Sequence, residues 1–128
     1  MCVENFTKKT RLGQPKRFLK VFRAYHGSDK LYSIGNYARI VDDTGRLIRG
    51  NMKHVPFQMR RSFQVFLDFK TANRFAVEMN IVANKDEYFI VKEVEAPAGA
   101  LVWYGEIQGA ANRVDGCKGA RISSGRLA

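Results

Sequence analysis

Alternation of apolar and polar side chains dominates this chain, and it predicts strands before anything else. Phe18-Leu-Lys-Val-Phe-Arg-Ala-Tyr25 puts Leu19, Val21 and Tyr25 on one face, interrupted by Arg23, with Phe22 and Ala24 on the other. Neither face is polar, which predicts a strand covered on both sides. His26-Gly-Ser-Asp29 carries turn chemistry, and Leu31-Tyr-Ser-Ile34 predicts a returning strand. Tyr37–Asp42 and Arg46–Arg49 flank Asp43-Thr-Gly45 and predict a hairpin with a left-handed glycine, carrying Arg39, Arg46 and Arg49 on an exposed basic face. Phe63, Val65, Leu67 and Phe69 share one face of a further strand. From Lys70 to Val82 the period changes: Ala72, Phe75, Ala76, Met79 and Val82 form one helical stripe, with Asp68 or Thr71 as N-cap and a stop within Asn80–Asn84. Glu87–Glu95 alternates and ends at Ala96-Pro-Ala-Gly99. Ala100–Tyr104 predicts another strand ended by Gly105, and Ala120–Ile122 a short last one, with a loop over 108–119 between them. Pro56 argues against a continuous helix over 50–61. The sum is an α+β fold: a small, mostly antiparallel sheet of six or seven strands with one main helix at about 70–82.

Residues 1–17 interrupt this pattern. They hold few apolar anchors and read as a basic N-terminal arm, extended and mobile until bound, beside a single α+β domain over 18–128. At 128 residues the chain has room for one core that needs no covalent staples. No run approaches the roughly 18 apolar residues of a membrane span, and no signal-peptide core follows the start. Two cysteines build no disulfide framework, which sets the expectation of a reducing cytoplasm.

Charge sharpens the picture. The chain carries 22 Lys and Arg against 12 Asp and Glu, a net +10. Residues 1–61 hold 14 basic and 4 acidic residues, so the whole excess lies there, while 62–128 hold 8 of each. Within 62–106 the sign reverses, with 4 basic against 7 acidic residues, which predicts a bipolar surface. The contact set expected from this asymmetry is Lys8, Lys9, Arg11, Lys16 and Arg17 from the arm, with Arg39, Arg46 and Arg49 from the hairpin.

Candidate catalytic chemistry is sparse. His26 and His54 with Cys2 and Cys117 lack the paired short spacing of zinc sites, and Cys117 has no local base. The late glycines follow no phosphate-loop or dinucleotide pattern, so no cofactor is expected. The layout of Arg23, His26 and a late Glu106 resembles the order of parts in small ADP-ribosyltransferase-like domains, without their paired-acid motif. Basic residues interleaved with Tyr25, Tyr32 and Tyr37 suit nucleic acid, by phosphate contact and base stacking. A binding role is therefore expected ahead of an enzymatic one.

Several short motifs recur together: Met1-Cys-Val3 before the basic arm, Lys20-Val-Phe-Arg23, Lys30-Leu-Tyr-Ser33, Phe63-Gln-Val-Phe66 before the Ala-containing segment, Ala96-Pro-Ala-Gly99 and Gly119-Ala-Arg-Ile122. The chain resembles, over most of 18–122, a loose group of small accessory proteins encoded by bacteriophages and prophages. It departs from them at Gln64, where a histidine is commoner, and no role of that histidine carries over. The resemblance implies a cytoplasmic protein that binds and occludes a host defence or nucleic-acid-processing factor, directly or with its nucleic acid.

Overall fold

The computed structural model describes residues 2–35, 38–49, 52–53, 55–109 and 114–128. Its strands are β1 (Cys2–Arg11), β2 (Lys16–Tyr25), β3 (Phe63–Phe66), β4 (Glu87–Ala96), β5 (Leu101–Gln108), β6 (Lys118–Ile122) and β7 (Arg126–Leu127). They form one antiparallel sheet in the order β1-β5-β6-β3-β2-β4-β7. The α-helix α1 (Phe69–Ile81) follows β3, and a 3-10 turn spans Phe57–Met59 after Pro56. The expected α+β class, strand number and main helix are all present.

Both faces of the sheet are covered, as the two-sided pattern of β2 predicts. Even-numbered β2 residues Phe18, Phe22 and Ala24 point into one core with Phe63, Val65, Val94, Val102 and Ile122. Leu31, Ile40, Val41 and Leu47 from the long β2–β3 connection close over it. Val21 faces the other core, where Phe66, Phe75, Ala72, Ala76, Phe89 and Ile107 pack under α1. The Phe66 and Phe75 rings lie 5.7 Å apart, centre to centre. Asp68 caps α1 by accepting from the Thr71 amide at 2.8 Å. The far end of α1 is pinned to β4 by Asn80, which exchanges two hydrogen bonds with the Phe89 backbone at 2.8 and 2.9 Å.

Five expectations are adjusted. The arm is not free: Cys2–Arg11 is an edge strand along the whole of β5, anchored by Val3 and half-buried Phe6. A shift of register between Glu4 and Lys8, with Asn5 at φ 52°, lets this polar strand bend around the sheet. The expected hairpin is present in shortened form, its antiparallel pairing limited to residues around the turn, with the Asp42 amide donating to Arg46 O at 2.9 Å and the Ile48 amide to Ile40 O at 2.8 Å, while Tyr37 lies outside the described residues. It is held by the Val41–Leu47 bridge and Gly45 at φ 86°, with the Asp42 carboxylate accepting from the Thr44 and Arg46 amides. Likewise Leu31–Ile34 supplies only bridges through Tyr32, to Arg23 and Arg39. Phe69 opens α1 and is exposed, because Asp68 ends the strand and caps the helix one residue earlier. Further on, β5 runs through Gly105 instead of stopping there, since β1 passes so close that only a glycine fits beneath Glu4. Among the described residues no helix is long and apolar enough to cross a membrane.

Candidate functional site

The sheet rolls up. Strands β2 and β5 stand three places apart in the sheet order, yet Lys16 Nζ donates to Tyr104 Oη at 3.1 Å. Three short connections consequently meet at one corner: 12–15, 97–100 and 123–125. The Leu12 amide donates to Ala100 O at 2.9 Å, and Gly99 N donates to Leu12 O at 2.8 Å. Ser123 N donates to Leu101 O at 3.0 Å, and the Ser123 hydroxyl accepts from Leu101 N at 2.8 Å. Backbone groups at the three turns therefore satisfy one another.

Around that corner stand basic residues from four segments. Arg11 donates to Gly99 O at 2.8 Å, which ties the end of β1 to the β4–β5 turn. Lys16 lies over the rings of Phe18 and Tyr104 at 5.5 and 5.6 Å. Arg17 pairs with Glu93 at 3.2 Å and Glu95 at 3.7 Å, both exposed pairs of small energetic worth. Arg126 faces Glu95 across β4–β7, and Arg46 faces Arg126 across an isolated bridge. Because opposed residues in antiparallel pairs share a face, Arg17, Glu95, Arg126 and Arg46 form one charged row. Further along β1, Lys8 lies 5.8 Å from the Tyr104 ring and Lys9 5.9 Å from that of Trp103. None of Lys8, Lys9, Arg11, Lys16 or Arg46 has a carboxylate within ion-pair distance among the described residues.

The corner thus joins four of the eight predicted contact residues (Arg11, Lys16, Arg17 and Arg46), with Lys8 and Lys9 beside them. Arg39 is not part of it; its guanidinium is paired with Asp43, which depresses the Asp43 carboxyl. Arg49 is exposed at φ 59°, and no described contact links it to the corner. Arg126 and Tyr104 were not foreseen. A two-residue strand shows no periodicity, and Tyr104 sits in a run that reads as plain core.

The other candidates are scattered. Arg23 is buried in a pair with Glu87, also donating to Ile34 O at 2.6 Å. The Asn84 amide, and after it Arg23, hold the Glu87 carboxyl below its usual range against the opposing effect of burial. His26 is exposed with its ring 4.9 Å from that of Tyr88. Glu106 lies on the opposite sheet face from Arg23 and accepts from Gln108 at 3.3 Å. Of the candidate stacking rings, Tyr25 and Tyr32 pack edge to face at 5.3 Å, while Tyr37 lies outside the described residues, as does His54. Among the described residues no three His, Cys, Asp or Glu side chains gather as a metal site.

Besides Arg23, two further cations are buried among the described residues, Lys20 and Arg121. Lys20 shares the inner face of β2 with Phe18 and Phe22 and donates to Gln64 O at 2.8 Å, where β2 and β3 splay apart after their single paired position. Burial, and then the Arg121 guanidinium, push its amine down to about 7. Arg121 is itself buried and donates to Ser62 Oγ at 2.6 Å and Ser62 O at 2.7 Å. No protein-family model, no curated protein and no solved structure matches the chain.

Proposed function

We propose that this protein is a stoichiometric binding protein that engages an acidic face of a macromolecular partner through the basic corner and the β1 edge. The observation that carries this reading is the convergence of Arg11, Lys16, Arg17, Arg46 and Arg126 from segments far apart in sequence, with Glu93 and Glu95 as the only carboxylates paired into the group among the described residues. Charge of one sign gathered around one corner raises the association rate and selects partners of opposite sign. The bacteriophage resemblance supports a host defence or nucleic-acid-processing factor as the partner, met in the host cytoplasm.

Direct, sequence-independent nucleic-acid binding comes second. The same cations suit phosphates, but Tyr25 and Tyr32 pack on one another and Tyr104 lies under two lysines, so base stacking gains little support. A transferase-like activity has least support, since Arg23, His26 and Glu106 point away from any common point.

The test is affinity capture from nuclease-treated host lysate, compared with a Lys9→Glu/Arg11→Glu variant. A stoichiometric protein partner that the variant loses, and that dissociates as salt rises from 50 to 200 mM, is the expected result. Partners that vanish on nuclease treatment, or that the variant retains, would overturn it.

A further inference from the structure

Beside the corner lies an open groove of about 330 Å³, lined by Thr44, Arg46, Glu95, Pro97, Ser124 and Arg126. Ligand clefts begin at roughly this size, about 300 Å³. Arg46 and Arg126 stand directly opposite each other across its antiparallel bridge. Like charges so placed repel, and they persist most readily where an anion completes the arrangement.

Both arginines are set in place by other contacts. Arg126 Nη2 donates to Thr44 O at 2.9 Å. Arg46 follows a turn fixed by Asp42, whose carboxylate accepts from Thr44 N, Thr44 Oγ1 and Arg46 N at 2.9, 2.7 and 3.0 Å. Those three donors, the Thr44 hydroxyl first, hold the Asp42 carboxyl below its usual range. The Thr44 hydroxyl proton is thereby spent on Asp42, which leaves Ser124 as the hydroxyl donor of the groove. Glu95 also lines it, and its charge is offset by Arg17 Nε at 3.7 Å.

We propose that this groove binds a terminal phosphate group, a phosphomonoester or free phosphate, with Arg46 and Arg126 as its two guanidinium ligands. The choice of anion follows from counting donors. One guanidinium fork satisfies both oxygens of a carboxylate, and both non-bridging oxygens of a phosphodiester. Two forks with a serine hydroxyl match the three terminal oxygens of a phosphomonoester. Glu95, at the side of the groove, is placed to accept from a hydroxyl or amino donor on the body of such a ligand.

The inference shares Arg46 and Arg126 with the macromolecular reading, but the two are tested at different residues: Arg46 and Arg126 here, Lys9 and Arg11 there. The experiment is titration of the intact protein, at constant ionic strength, with inorganic phosphate, adenosine 5′-monophosphate, adenosine, and a decathymidylate lacking terminal phosphates, followed by amide chemical shifts. Phosphate and the mononucleotide should bind, shifting amides at 44–46 and 124–126, whereas adenosine should not. Arg46→Gln and Arg126→Gln should each weaken binding at least tenfold. Arg46→Lys/Arg126→Lys, which keeps the charge and loses the forks, should fall between, and Lys9→Glu/Arg11→Glu should leave binding intact. Unfolding curves on each glutamine variant separate lost binding from lost fold, since both side chains are exposed. Binding unaffected by the glutamine variants overturns the proposal. So does equal binding of adenosine, or arginine-dependent binding of decathymidylate alone.

Discussion

Lys20 makes stability depend on pH in a direction opposite to that of a salt-bridged lysine. Its amine is held at about 7 in the fold, against 10.5 when unfolded. Between these values the unfolded chain binds more protons than the native one, so stability rises with pH. The penalty is fully present below pH 7, fades as pH rises through the folded value, and is gone above 10.5. Between pH 7 and pH 9 the two titration curves differ by a gain of about 2 kcal/mol. Urea unfolding of wild type and Lys20→Met at pH 7, 8 and 9 measures it. The variant leaves the Gln64 carbonyl without its donor, a cost of about 1–3 kcal/mol that does not vary with pH. The difference between the two proteins should therefore change by about 2 kcal/mol over this range, wild type gaining on the variant as pH rises. Parallel pH profiles, or a wild type that loses ground, would refute a buried amine that sheds its proton near neutrality.

Further outcomes follow from local contacts. Asp68→Ala removes the acceptor for the Thr71 amide and hydroxyl and should cost about 1 kcal/mol in urea unfolding, with α1 amides exchanging faster at its first turn. Gly105→Ala forces a methyl group against the Glu4 carbonyl and the Val3 and Phe6 side chains; it should cost about 1–3 kcal/mol and raise hydrogen exchange in β1 before the rest of the sheet. Glu87→Gln weakens the buried pair with Arg23, so its melting temperature should lie below wild type at pH 7. The gap should close in acid, because a depressed carboxyl contributes its full stabilisation above the ordinary carboxylate value and loses it as pH falls through the lower folded value.

Much of the sheet and the helix was legible because each buries an apolar face of regular period. The stripe over 70–82 corresponds to α1 within a residue, and Asp68 caps it as its side chain allows. The alternation over 87–95 corresponds to β4. The pattern fails where pairing, not burial, makes the strand. Lys8, Lys9 and Thr10 lie on β5 through strand pairing and bury little, so residues 2–11 read as an arm. Arg126 has the same difficulty: it joins the charged row by position in a two-residue strand. Lys20 misleads in the other sense, as a lysine counted with the surface charge that closes a gap inside the core. Basic density in the first half did indicate Arg11, Lys16, Arg17 and Arg46. Their meeting point depends on the rolled sheet, which no local pattern encodes.

The pairing of β1 with β5 also sets an order of events during synthesis. Cys2 finds its place against Gln108, so about a hundred further residues must be made before the strand has a partner. At roughly 5–20 residues per second, this segment waits on the order of 5 to 20 s. Throughout that interval it is an unpaired strand, the kind of segment that adheres to other nascent chains. Lys8, Lys9 and Arg11 hold such neighbours off by repulsion and keep the segment hydrated. The charges along this edge thus act before the fold is complete, by keeping the first strand made apart from its neighbours until β5 emerges.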